Sequence, residues 1–165
     1  MTNNKSIYQK IKSLQELQTI VESWKKEGET IVFTNGCFDI LHLGHVDYLS
    51  KAADKGTKLI VAINSDRSVR MLEKGITRPL QDEKSRATIM ASLGFVDKVI
   101  IFNEETPLKL IGKLLPHVLV KGGDYKAEEI VGYKEIIENG GKVELIEFVP
   151  GYSTSAIEKK IKEIK

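Results

Sequence analysis

The run Lys58-Leu59-Ile60-Val61-Ala62-Ile63 holds five apolar residues in succession with no polar alternation. A strand with one wet face alternates, whereas a continuous run of this length reads as a strand buried on both faces of a parallel sheet. Parallel neighbours cannot be joined by hairpins and need long crossovers, usually helical. The flanking sequence supplies such crossovers on both sides of the run.

Strands are predicted over 30–35, 58–63, 97–102, 118–120 and 142–148. Helical patterns separate them. Val46, Leu49, Ala52 and Ala53 lead to Gly56; 65–73 and 82–93 follow, the latter stopping at Gly94; Thr106-Pro107 opens a further helix, with the proline at its first position; 130–138 completes the set. Leu14, Leu17, Ile20, Val21 and Trp24 mark a helix before the first strand, and Ile157, Ile161 and Ile164 stripe one after the last. The alternation predicts an α/β fold, a single Rossmann-like, doubly wound, mostly parallel five-stranded sheet covered on both sides. Residues 1–28 are expected to form a helical extension packed on a domain spanning 29–165. Right-handed crossovers should gather segments 35–45, 64–67, 121–125 and 149–155 at the carboxyl edge of the sheet.

A length of 165 residues suits one domain with a proper core. The 25 basic and 23 acidic residues nearly cancel, which argues against a nucleic-acid footprint or a membrane surface. The single cysteine, Cys37, cannot form an intrachain disulfide and fits a reducing compartment. With no apolar stretch of membrane length and a polar start, Met1-Thr2-Asn3-Asn4-Lys5, a cytoplasmic location is expected.

The first predicted strand runs into Asn35-Gly36-Cys37-Phe38-Asp39-Ile40-Leu41-His42-Leu43-Gly44-His45, and a helix follows. Two imidazoles and an open backbone thus arrive at a strand end and a helix start, where phosphorylated ligands sit in open α/β sheets. Neither G-x-G-x-x-G nor G-x-x-x-x-G-K-[ST] occurs, so a phosphate site must be built by other means. Gly44 would let backbone approach an anion, and imidazole N–H groups can donate to charge building on a leaving pyrophosphate. Capping or surface histidines and a zinc pair are the rival readings. Zinc pairs on helices more often stand four apart, and no further ligand cluster completes a set.

The sequence resembles the nucleotidylyltransferase superfamily, whose H-x-G-H signature matches His42-Leu43-Gly44-His45, and within it the adenylyltransferases that make ADP-heptose. The resemblance spans about residues 14–165 and includes Asn64-Ser65-Asp66, Thr77-Arg78-Pro79 with Arg86, Glu104-Glu105-Thr106-Pro107, Val120-Lys121-Gly122-Gly123-Asp124-Tyr125-Lys126 and Gly151-Tyr152-Ser153-Thr154-Ser155. It implies attack of heptose 1-phosphate on the α-phosphorus of ATP, with Mg²⁺ carried on the triphosphate and a separate sugar kinase upstream. A homodimer is plausible from the family alone.

The resemblance also implies roles. His42, His45 and Arg86 become catalytic candidates. Asn35, Gly36, Cys37, Phe38, Asp39 and Gly44 become nucleotide contacts, joined by Lys121, Gly122, Gly123 and Asp124 and by Ser153, Thr154 and Ser155. Asn64, Asp66, Lys74 and Arg78 become substrate contacts, and no protein-held metal is expected. The loop 74–81 is expected to close over nucleotide. Plainer readings stand beside these: a hairpin turn at Asn35-Gly36, an Asx turn at Asp39, packing for Cys37, solvated charges for Lys74 and Arg86, a glycine turn at 122–123. Ser155 and Glu158 have the spacing of a helix capping box. Phe148-Val149-Pro150 stands where related cytidylyltransferases carry an arginine and a threonine, which favours the heptose branch over enzymes of glycerol phosphate. A CTP-dependent cytidylyltransferase, a silent nucleotide-binding module and a class I aminoacyl-tRNA synthetase remain the alternatives. The last of these needs domains that 165 residues cannot hold.

Overall fold

In the computed structural model, which describes residues 5–72, 77–123 and 125–164, the apolar runs pair as one sheet. Its strands are β1 (Ile31–Gly36), β2 (Lys58–Asn64), β3 (Lys98–Phe102), β4 (Val118–Gly122) and β5 (Lys142–Ile146). Their order is β3-β2-β1-β4-β5, and every pairing is parallel, which tightens the expectation of a mostly parallel sheet. The helices are α1 (Lys5–Lys10), α2 (Leu14–Lys26), α3 (Leu43–Ala53), α4 (Asp66–Met71), α5 (Glu83–Ser92), α6 (Leu108–Leu114), α7 (Tyr133–Glu138) and α8 (Thr154–Glu163). None of them is long and apolar enough to cross a membrane.

The β2 run shows why no alternation was needed. Leu59, Val61 and Ile63 enter one core with Leu49 of α3 and Met90 of α5, while Ile60 and Ala62 enter the other with Leu17 of α2 and Ile111 of α6. Helix α2 begins with a reciprocal cap. The Glu16 N–H donates to Ser13 Oγ, and the Glu16 carboxylate accepts the Ser13 N–H at 2.9 Å. Its buried Leu17 and Val21 each contribute about 1.5–3 kcal/mol of apolar burial.

Helix α1 and the segment after it fall within the extension expected over 1–28, although no periodicity marked them. Ile7 and Ile11 pack against the α3–α5 core, Ile11 bridges Val99 in parallel, and the Lys12 N–H donates to the Val99 carbonyl at 2.9 Å. The outer edge of β3 is thereby covered, which removes a template for unwanted strand pairing. The helix predicted over 130–138 begins only at Tyr133. Gly132 has φ +92°, and a Cβ there would lie 2.6 Å from Cδ1 of Ile111, so the chain turns before the helix can start. The helix predicted to have proline in first position instead begins at Leu108, with Pro107 as its cap. The isoleucine stripe of α8 lies largely open, with Ile161 and Ile164 exposed.

The chain leaves β1 toward β2 and β3, then returns to β4 and β5 on the other side. Between β1 and β4 the ladder holds Val32↔Val118 and Phe33↔Leu119 and goes no further. Beyond it β1 stays paired with β2 as far as Gly36↔Ile63, and β4 with β5 as far as Gly122↔Ile146. The sheet is therefore split at the carboxyl ends of its two central strands, at the reversal of strand order where ligands of such sheets bind.

Candidate active site

A cleft of about 830 Å³ opens at this split. Its floor is the segment leaving β1, and Asn35, Gly36, Cys37, Phe38 and Asp39 all line it. His45 lines it from α3, Asn64 from the end of β2, Lys121 and Gly122 from β4, and Thr154 and Ser155 from the start of α8. Segments distant in sequence thus meet at one edge, as the crossover argument requires.

The histidines are held by packing. His42 caps α3 with extended backbone and no side-chain capping bond. Its ring stacks on His45 with centroids 3.8 Å apart and planes 20° apart, and Phe38 meets His45 edge-on at 5.2 Å. Phe38 reaches that position from a left-handed backbone, φ +48°. Gly44 is required here by a close approach: a Cβ would sit 3.1 Å from Cε1 and Nδ1 of His42 and 3.3 Å from the Tyr152 Cβ. The glycine makes room for the imidazole, in addition to any room it leaves for an anion. Among the described residues, Nδ1 of His42, Nδ1 of His45 and Oδ1 of Asn35 are buried without a hydrogen-bond partner. Orphaned buried polar atoms are rare, and three beside one cleft mark a place built for a polar ligand.

Burial, reinforced by His42 alongside and partly offset by the Ile40 backbone, lowers the His45 pKa to about 4. Burial also lowers that of His42. Both rings are therefore neutral at pH 7, each with one N–H to give and one nitrogen to accept. The linkage has a definite sign. Unfolding lets His45 take up a proton near pH 6.5 that the fold resists down to about 4, so its contribution to stability is complete above 6.5 and lost as pH falls through that window. Urea midpoints should fall across this interval, and His45→Gln should recover part of the loss.

Several expected contacts are placed differently. Arg86 is fully buried and does not line the cleft. Its Nη1 donates to the carbonyls of Cys37 at 2.8 Å and Asn64 at 2.7 Å, its Nε to Gln81 O at 2.9 Å, and its Nη2 to Asp66 Oδ1 at 2.8 Å. Arg86, expected on phosphate, spends four of its five N–H groups in tying the ends of β1 and β2 to the starts of α4 and α5. Asp66, expected on substrate, is the counter-charge of that brace and also lies off the cleft wall. Asn64 does line the cleft, but its Nδ2 donates to Ser68 Oγ at 2.9 Å and its Oδ1 lies 3.7 Å from Cys37 Sγ.

Asp39 is bonded through its carboxylate to a distant segment and makes no Asx turn. Its buried carboxylate accepts the backbone N–H groups of Leu80 and Gln81 at 2.9 Å and the Arg78 guanidinium at 3.2 Å. Arg78 lines the cleft and also pairs with Glu158 of α8 at 3.0 Å. Glu158 is thus drawn away from the capping box expected with Ser155. The cap is Ser153, whose Oγ accepts from the Ala156 N–H at 3.1 Å, leaving Thr154 and Ser155 in the first turn facing the cleft. The expected openness over Gly36 and Gly122 is taken by aromatic rings: a Cβ at Gly36 would meet Phe38 at 2.9 Å, and one at Gly122 would meet Phe148 at 2.3 Å. Gly123 turns the chain at φ +110° and does not line the cleft. Lys74 and Asp124 lie outside the described residues, as do residues 74–76 of the loop expected to close.

Lining residues that no motif singled out are Tyr48, Leu72, Glu129, Ile130 and Val131, while Tyr125, Phe148 and the Glu105–Pro107 turn lay in quoted runs but were given no contact role. Tyr48 was legible in principle, because it stands three positions after His45 and shares its helix face. Phe148 was read only as a departure from the cytidylyltransferase pattern, with nothing to place its ring against the cleft.

Residues 33–160 match the cytidylyltransferase-like family. Proteins named bifunctional protein HldE are 56% identical over 154 residues in Geotalea uraniireducens and 54% identical over 150 in Actinobacillus succinogenes, covering 93% and 91% of this chain. The chain spans about a third of the length of these relatives, 31% in both. Among solved structures, the lipopolysaccharide core biosynthesis protein of Thermoplasma volcanium is 29% identical with a TM-score of 0.62, over 74% of this chain and 98% of that one. A pantoate-beta-alanine ligase from Francisella tularensis, 18% identical with a TM-score of 0.59 over 93% of this chain and 78% of its own, shares the fold.

Proposed function

The chain belongs to the cytidylyltransferase-like family, and from that premise we propose that it transfers AMP from ATP to heptose 1-phosphate, giving ADP-heptose and pyrophosphate for lipopolysaccharide core synthesis. The observation that carries the chemistry is the stacked pair His42 and His45, half-buried, neutral and with buried, unpartnered Nδ1 atoms beside the cleft at the sheet's split. Support for the substrate comes from the identity to HldE proteins and the likeness to a lipopolysaccharide core biosynthesis protein.

A phosphate oxygen of the sugar forms a bond to the α-phosphorus, and the bond from that phosphorus to the bridging oxygen of pyrophosphate breaks. The leaving group departs with the electron pair. The acceptor is already ionised, so no covalent enzyme intermediate is required and catalysis is positioning plus charge stabilisation. In this reading the two imidazoles and Asn35 hold the triphosphate, with the opening turn of α8 adding its N–H groups and helix dipole. Lys121 and Gly122, flanked by the exposed rings of Tyr125 and Phe148, form the nucleoside wall. Arg78 is placed to hand its guanidinium from Glu158 to a phosphate, which it can bind bidentately. Mg²⁺ arrives on the triphosphate, held by phosphate oxygens and water; the buried carboxylate of Asp39 is already filled by Arg78 and two backbone N–H groups. A kinase activity must supply the sugar 1-phosphate.

The family description itself favours one other reading, a CTP-dependent enzyme acting on glycerol phosphate. Pyrophosphate release measured with four nucleotides against heptose 1-phosphate anomers and polyol phosphates separates the two. The expected result is turnover with ATP and heptose 1-phosphate. Turnover confined to CTP and glycerol phosphate would overturn the proposal.

A further inference from the structure

We propose that Tyr48 is the positioning residue of this site, its hydroxyl clasping β1 to β4 where their ladder ends and thereby fixing the helix face that presents His45. The last paired positions of the two strands are Phe33 and Leu119, so Thr34 and Val120 are the next pair in register. The Tyr48 hydroxyl stands at that step. It lies 2.6 Å from Thr34 Oγ1 and 3.1 Å from the Val120 carbonyl. The carbonyl can only accept, so the tyrosine proton goes to Val120 and Thr34 donates its own proton to the tyrosine oxygen. One side chain thus supplies the cross-strand link that the backbone no longer makes, and all three groups are buried.

The link also sets the helix. Tyr48 and His45 stand three residues apart on α3, one turn from the His42 cap, so a ring anchored at the floor of the split fixes the rotation of that turn. Tyr48 itself lines the cleft, with Phe148 tilted over it at 5.7 Å. Burial raises the Tyr48 pKa to about 12, so the hydroxyl stays protonated and keeps its donor at any working pH. Nothing in the adenylyl-transfer scheme uses this hydroxyl chemically, and its distances are satisfied entirely by protein.

The kinetic arm of the test rests on the function proposed above, whereas the spectroscopic arm does not. In the full chain, Tyr48→Phe keeps the ring and removes both bonds. It should lower kcat for pyrophosphate release by about tenfold to a hundredfold with KM for ATP changed far less, the mark of lost alignment. Only three histidines are present, so the imidazole NMR spectrum holds His42, His45 and His117. In Tyr48→Phe the His45 titration should move up from about 4 toward 6.5, with His117 as the unmoved reference. Thr34→Val, which removes one bond of the clasp, should give a smaller shift in the same direction and stands in should Tyr48→Phe fail to fold. A folded Tyr48→Phe with unchanged His45 titration, or a Thr34→Val with no shift where the first variant cannot be made, overturns the clasp. A moved titration without any turnover in the parent chain would instead count against adenylyl transfer and leave the clasp standing.

Discussion

His45→Ala should release pyrophosphate from ATP and heptose 1-phosphate about 10² to 10³ times more slowly than the parent chain, the loss of one donor aimed at developing charge. His45 lines the cleft, is braced between the His42 ring and the edge of Phe38, and enters the reaction neutral. A neutral ring in a half-buried site keeps one N–H to donate. Its N–H strengthens as charge gathers on the leaving phosphates, which lowers kcat in the variant while KM for ATP moves little. Triphosphate binding should also pull the His45 titration upward from about 4, because an adjacent anion favours the charged ring. His42→Ala removes the stacking partner as well as a donor, and the double variant should be little worse than His45→Ala if the rings act as one unit. Parent-like turnover by His45→Ala would remove the imidazole pair from the mechanism.

What the sequence made legible follows from how local each signal is. The Leu59–Ile63 run announced burial on both faces, and the structure divides its side chains between two cores as that reading requires. His42, Gly44 and His45 could be placed at a strand end and helix start from their neighbours alone. Their stacking could not, since it depends on Phe38 turning through φ +48° and on the Gly44 hydrogen that leaves space for a ring. Within the extension expected over 1–28, helix α1 itself went unmarked because six residues with few apolar positions carry no periodicity; it packs on α5, and Ile11 just after it bridges Val99 of β3. Ser153 and Ser155 are equally good caps on paper, and the choice fell to Ser153 once Glu158 was engaged by Arg78. Asp39 and Arg86 show the limit most clearly. A charged residue near a phosphate motif reads as a ligand for phosphate, yet Asp39 is engaged by Arg78 and two backbone N–H groups and Arg86 by Asp66 and backbone carbonyls, mostly 20 to 49 positions away.

That engagement makes Arg86→Ala the second large effect, and the effect is on folding. The substitution strips donors from the carbonyls of Cys37, Asn64 and Gln81 and leaves the Asp66 carboxylate without its partner. Breaking one member of a buried charged network costs about 3–5 kcal/mol, against a total stability of about 5–15 kcal/mol for a domain of this kind. The urea midpoint of Arg86→Ala should therefore fall steeply with no nucleotide present. Arg86→Lys should recover little, because an ammonium has no fork to reach four acceptors at once. Asp66→Asn should be milder, since an amide oxygen still accepts from the guanidinium. A phosphate-binding arginine gives the opposite pattern: unchanged stability in the empty protein, with the defect confined to KM and kcat. If Arg86→Ala unfolds at the parent's urea concentration and only its turnover fails, the guanidinium belongs to the substrate after all. The brace matters to the chemistry even so, because the carbonyl it holds at Cys37 lies in the segment that carries Asn35 and Phe38 into the cleft.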